Sequence, residues 1–120
     1  MATLRQRRGS GAEDEAAKYL VGLGWRVLAR NVKVGRDEID IVALDPGPPT
    51  ELVCVEVRSA SAARFGAPEE RVDNAKVGHL YRAMRALTSS ARLDRRVDLV
   101  VIDRRDGRTT IRHLRRLESR

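Results

Sequence analysis

The segment DEIDIVALDPGPPTELVCVEVRS, residues 37–59, holds two apolar runs separated by five residues that cannot continue a strand. Three prolines and a glycine lie between Asp45 and Thr50, and proline has no N–H for a ladder, so the runs 37–45 and 51–59 are predicted to form a hairpin closed by a short rigid loop. Both runs are apolar on either parity, as expected of central strands covered on two faces. The exceptions are Asp40 in the first and Glu56 with Arg58 in the second.

On either side, the hydrophobic periods mark out a chain of alternating type. Residues 1–11 are polar and basic and end in Gly-Ser-Gly, which predicts a flexible arm. Ala12, Ala16, Tyr19, Leu20 and Leu23 recur at helical spacing, with Gly22 and Gly24 ending the helix. WRVLARNV, residues 25–32, alternates apolar residues with Arg26 and Arg30, a strand exposed on one face. After a small-residue loop over 60–68, a long helix is predicted from about Glu69 to Ser89, burying Val72, Val77, Leu80, Met84 and Leu87. RVDLVVID, residues 96–103, is a further strand, and the turn RRDG leads to a last one near TTIRHLRRL. The order αβββαββ predicts an α/β fold with a mixed sheet flanked by helices. The division is a basic arm at 1–8, one domain over 9–117 and a tail at 118–120, with no internal repeat.

Composition narrows the function classes. The apolar fraction of 42% is that of a globular chain, and aromatics at 3% leave little for base stacking. A formal net charge of +7 favours a polyanionic partner, since a basic surface releases counterions when it meets phosphates. Twenty-one of the 24 basic residues are arginine. Cys54 is the only cysteine, so no disulfide forms within the chain and a reducing, cytoplasmic setting is expected. No apolar run approaches the ~20 residues of a membrane span, and the first residues lack the apolar core of a signal peptide. His79 and His113 have no accompanying cysteines and make no zinc site, and neither a phosphate-binding P-loop nor a Ser-His-Asp arrangement is present.

Strand parity brings the charges together. Pairing Asp45 with Glu51 in the hairpin puts Asp40 across from Glu56, with Cβ atoms about 5 Å apart. Two like charges facing each other in a central sheet are unfavourable, because each also loses hydration. A divalent cation between them relieves both costs, and oxygen ligands suit Mg²⁺ or Mn²⁺. Arg58 shares the parity of Glu56, and an ion-pair cluster of Asp40, Glu56 and Arg58 without chemistry fits the same spacing. Glu13 lies on the side of the first helix marked by Ala16, Ala17 and Leu20, facing the sheet. Lys76 stands beside the buried stripe of the long helix, between Val72 and Leu80. A metal on Asp40 and Glu56, completed by Glu13, suits phosphodiester hydrolysis, with Arg58 or Lys76 stabilising the transition state.

In the order GAEDEAAKYL, GWRVLARN, DEIDIVALD, VCVEVRS, FGAPEERVDNAK and RVDLVVI, residues 9–104 resemble the successive motifs of the bacterial YraN family. That family is similar to Holliday-junction resolvases and other nucleases of the restriction-endonuclease-like PD-(D/E)xK fold. The resemblance implies a metal-dependent DNA endonuclease acting on branched DNA, possible as a homodimer, with catalytic residues Glu13, Asp40, Glu56, Arg58 and Lys76 and metal ligands Glu13, Asp40 and Glu56. The chain departs from the family pattern twice. Gly-Glu-Ile-Asp becomes Asp37-Glu38-Ile39-Asp40, and Glu-Val-Lys becomes Glu56-Val57-Arg58. Arginine keeps the charge but changes reach, planarity and the option of losing a proton. A non-catalytic nucleic-acid-binding protein on a degenerate nuclease scaffold is therefore the alternative expectation.

Overall fold

The computed structural model describes residues 10–60, 74–87 and 92–118. In chain order these form α1 (Ser10–Gly22), β1 (Arg26–Val34), β2 (Asp37–Asp45), β3 (Glu51–Ala60), α2 (Asn74–Leu87), β4 (Asp94–Arg105) and β5 (Arg108–Leu117). The strands make one mixed sheet in the order β1-β2-β3-β4-β5, parallel between β3 and β4 and antiparallel elsewhere. A parallel neighbour needs a crossover, and α2 lies within the connection between β3 and β4.

Each helix covers one core. Ala16 and Leu20 of α1 are fully buried against Ile41, Ala43, Val53, Val55, Val100 and Ile102. On the other side, Leu80, Ala83 and Met84 of α2 pack with Ile39, Val42, Leu52, Cys54 and Val97. Strands buried on both faces have no polar parity, which is why 37–45 and 51–59 read as apolar throughout. Of the stripe expected on the long helix, Val77, Leu80 and Met84 are buried, whereas Leu87 is 43% exposed at the end of α2. Val72, the segment 69–73 and the basic arm at 1–8 lie outside the described residues.

Local chemistry sets the element ends. The N–H of Gly24 donates to the carbonyl of Val21 at 2.9 Å and that of Trp25 to Leu20 at 3.1 Å, the paired bonds of a Schellman stop. Gly24 takes the left-handed conformation that the motif demands, with φ at 91°. Trp25 then folds back onto the core that holds Leu20. Between β4 and β5, Asp106 and Gly107 both have positive φ, 51° and 75°, as a two-residue hairpin turn matched to strand twist requires.

The sheet loses regularity at the place that matters most. Asp45 pairs with Glu51 as expected, and the β2–β3 ladder continues to Ile41 opposite Val55. There it ends. Ile39 and Ile41 are two residues apart yet belong to cores on opposite sides of the sheet, so β2 turns over at Asp40. On the neighbouring strand Asn31 has φ at 54°, between residues paired with Ile41 and Ile39. The expected direct pairing of Asp40 with Glu56 is thus replaced: Asp40 Oδ2 accepts the N–H of Val57 at 2.8 Å. A side-chain acceptor has taken the place of a ladder carbonyl.

Candidate metal and phosphate site at the opening between β2 and β3

The irregularity at Asp40 puts carboxylates where the sheet opens. Asp40 is half-buried at that point, and Glu56, on β3 one residue beyond the last ladder pair, is 6% exposed. The Asp40 carboxyl is pushed up to about 7, first by burial and then by the Glu56 charge, with Glu13 adding to it; the Val57 N–H and Lys76 act in the opposite sense. Burial also raises Glu56, against the lowering pull of Lys76 and Arg58. Asp40 and Glu56 therefore share the cost of two negative charges in a dry place.

The cations surround this pair. Arg58 Nη2 lies 3.2 Å from Glu56 Oε2, with the Arg58 side chain 34% exposed. Its Nε–H is buried and has no acceptor among the described residues. Lys76, half-buried near the start of α2, acts electrostatically on both Asp40 and Glu56. Glu13 contributes charge from α1, but its carboxylate is held by Arg30 at 3.3 Å, and the same guanidinium bonds Asp14 at 2.8 Å.

The donor set decides what can bind. Asp40 and Glu56 offer hard oxygen donors whose mutual repulsion a divalent cation would relieve, so the two residues fit Mg²⁺ or Mn²⁺. Among the described residues no three acidic, histidine or cysteine side chains form a group that could hold a metal ion. The expected trio therefore does not close around one point here, since Arg30 engages Glu13. Cys54 adds no nucleophile: it is buried beneath the pair, and burial together with the two acids pushes its thiol far up.

A second charged assembly, unforeseen from the sequence, occupies the α1 side of the sheet at the far ends of β2 and β3. Arg96, 2% exposed, donates from Nε to Asp98 at 2.9 Å, from Nη2 to Asp45 at 2.9 Å and from Nη1 to Glu51. His113 Nε2 lies 2.8 Å from Asp98, and its Nδ1 lies 2.8 Å from the Tyr19 hydroxyl on α1. Trp25 carries Arg96 and Arg115 over its ring at 5.1 and 5.5 Å. The signal was available in Arg96-Val97-Asp98, a charge pair of one parity inside an apolar strand, as in Glu56-Val57-Arg58. His79, by contrast, stays half exposed, 3.8 Å from Asp37.

With the geometry in place, the family can be stated. The model of the uncharacterised protein family UPF0102 matches residues 12–102, from α1 through most of β4. The chain belongs to family UPF0102. A UPF0102 protein of Desulforamulus reducens is 41% identical over 80 residues, covering 67% of this chain and 64% of that protein. One from Persephonella marina is 44% identical over 70 residues, 58% of each chain. One from Nocardioides is 37% identical over 118 residues, 95% of this chain and 93% of its own. The match thus spans less than two thirds of the first two relatives and nearly all of the third. The UPF0102 segment includes Glu13, Asp40, Glu56, Arg58 and Lys76 and stops short of His113 and β5.

Proposed function

We propose that this UPF0102 protein is a divalent-metal-dependent DNA endonuclease with a restriction-endonuclease-like core. One observation carries the proposal: Asp40 and Glu56 are brought together, desolvated, where β2 leaves β3, with Arg58 and Lys76 beside them. The helix on each face and the parallel β3–β4 pair following a hairpin support the fold assignment. Asp40 and Glu56 would hold Mg²⁺ or Mn²⁺, and Glu13 would join once released from Arg30. A bound cation supplies a water of lowered pKa and polarises the phosphate. Asp40 is kept in place by the Val57 N–H, so its carboxylate does not have to be ordered when DNA arrives. Lys76 and Arg58 offset the charge that develops on the phosphate oxygens. Arginine does not lose its proton, so at position 58 it stabilises and orients charge and cannot act as a base.

Branched DNA is the substrate class favoured by the resemblance to resolvases, and a homodimer with two such sites suits it. The one cysteine, buried, agrees with work in the cytoplasm. Purified protein with Mg²⁺ or Mn²⁺ is expected to nick branched, flapped or single-stranded DNA, and Asp40→Asn to abolish the nicking. A variant that cleaves as fast as its parent would assign the cleavage elsewhere. The ion pair of Arg58 with Glu56 favours a second reading, a binding protein that has lost turnover. It requires salt-sensitive DNA binding with no cleavage in either metal, unaltered by Glu56→Gln.

A further inference from the structure

Building on the metal-site reading above, we propose that Arg58 is a switching counter-ion: it neutralises Glu56 while the carboxylate pair holds no metal, and passes to a phosphate of the substrate when a divalent cation takes its place. The contact of Arg58 with Glu56 is made through one terminal nitrogen, Nη2, at 3.2 Å. The neighbouring Nε–H on the same edge of the guanidinium is buried and finds no acceptor among the described residues. A buried N–H left unsatisfied costs on the order of 1–3 kcal/mol, and a guanidinium binds best when two parallel N–H groups meet two oxygens. The resting pose therefore uses half of an edge shaped for a carboxylate or a phosphate.

Charge balance says when the other half comes into use. With both carboxylates ionised, Glu56 is offset by Arg58 and by Lys76, which also acts on Asp40, while Glu13 and Glu38 add negative charge around the pair. A doubly charged cation on the same oxygens takes over the neutralisation of Glu56 and sets two like charges beside the Arg58 guanidinium. Arg58 is the group able to move, being a third exposed on a long flexible stem. Its free edge would then take two oxygens of a phosphodiester, and metal and phosphate would each raise the affinity for the other. A lysine at this position would carry no such fork, so the coupling depends on the guanidinium of Arg58.

The test is Mn²⁺ binding to the full chain without nucleic acid at pH 8, followed by electron paramagnetic resonance. Arg58→Gln is expected to bind Mn²⁺ about tenfold tighter than the parent, because a like charge beside the ion has gone, and Glu56→Gln to lose binding. If Arg58→Gln binds equally or more weakly while Glu56→Gln abolishes binding, the switch is overturned and the metal site stands. If Glu56→Gln and Asp40→Asn both bind as the parent does, the metal site falls and the switch with it. The unaltered chain gives a second measurement that needs no variant: the Nε–H resonance of Arg58 should move as Mg²⁺ is added. A resonance that stays fixed while Mg²⁺ saturates the site overturns the switch.

Discussion

At the scale of single residues, Asp40 shows what a desolvated carboxyl beside a second acid costs in stability. Its folded pKa of about 7 lies above the ordinary 3.8, so between about pH 4 and pH 7 the folded protein holds a proton that the unfolded chain has released. Stability contributed by that proton is lost as pH rises through this window, and the loss levels off above about 7. Asparagine removes the titration, keeps an oxygen for the Val57 N–H and offers Glu56 a donor instead of a charge. In the presence of a chelator, Asp40→Asn is therefore expected to be more stable than the parent by about 2–4 kcal/mol at pH 8, with the gap closing towards pH 4. Urea midpoints at the two pH values measure this, and equal midpoints at pH 8 would mean the ionised carboxylate costs nothing. Asp45 and Asp98 run the other way: hydrogen bonds and ion pairs hold both below their ordinary value, so the stability they add is present above about pH 4 and fades only as pH falls through their lowered pKa. Sequence could supply the parity that sets Glu56 and Arg58 on one face. It could not supply the bond from Val57 to Asp40, which depends on β2 turning over at a residue no propensity marks.

At the scale of elements, the Arg96 assembly joins β2, β3 and β4 through one guanidinium and reaches β5 and α1 through His113 and Tyr19. Taking Arg96 away leaves Asp45, Glu51 and Asp98 together in a buried place, and truncating one partner of such a network costs about 3–5 kcal/mol. Arg96→Met is expected to lower stability by that amount at pH 7, and adding Asp98→Asn should recover part of it. Arg116, 57% exposed at the rim, also bonds Glu51, yet Arg116→Ala is expected to cost under about 1 kcal/mol because solvent screens the pair. Equal losses on removing Arg96 and Arg116, read from denaturant unfolding, would show that the buried guanidinium is no more important than the surface one. The strands and helices behind this assembly were legible because their apolar periods are long and their turns carry Pro-Gly and Asp-Gly signals. The assembly was not, since Arg115 and Arg116 have the look of a solvated tail until β5 pairs with β4 and lays Arg116 against Glu51. Charge partners 65 residues apart in sequence are set by topology, and only the full strand order reveals them.

At the scale of the whole molecule, a net charge of +7 has to be reconciled with so many internal ion pairs. Glu13, Glu56, Asp45, Glu51 and Asp98 are already matched by Arg30, Arg58 and Arg96, so much of the excess resides on arginines outside the cores. Arg82 and Arg85 on the exposed side of α2, the helix that also bears Lys76, belong to that excess. Such a surface binds nucleic acid largely by counterion release, and the affinity falls with salt in proportion to the number of phosphates engaged. If about four phosphates are contacted, the slope of log K against log salt on duplex DNA is near −3.6, and affinity drops roughly a hundredfold between 50 and 200 mM salt. Fluorescence anisotropy with a labelled duplex, without metal so that no cleavage intervenes, measures that slope. Arg82→Ala is expected to make it shallower by about one, whereas Glu56→Gln should leave it unchanged because Glu56 is buried. A parent slope shallower than about −1 would mean that phosphates are not what this positive surface meets, and both the nuclease and the binding-protein readings would lose their substrate.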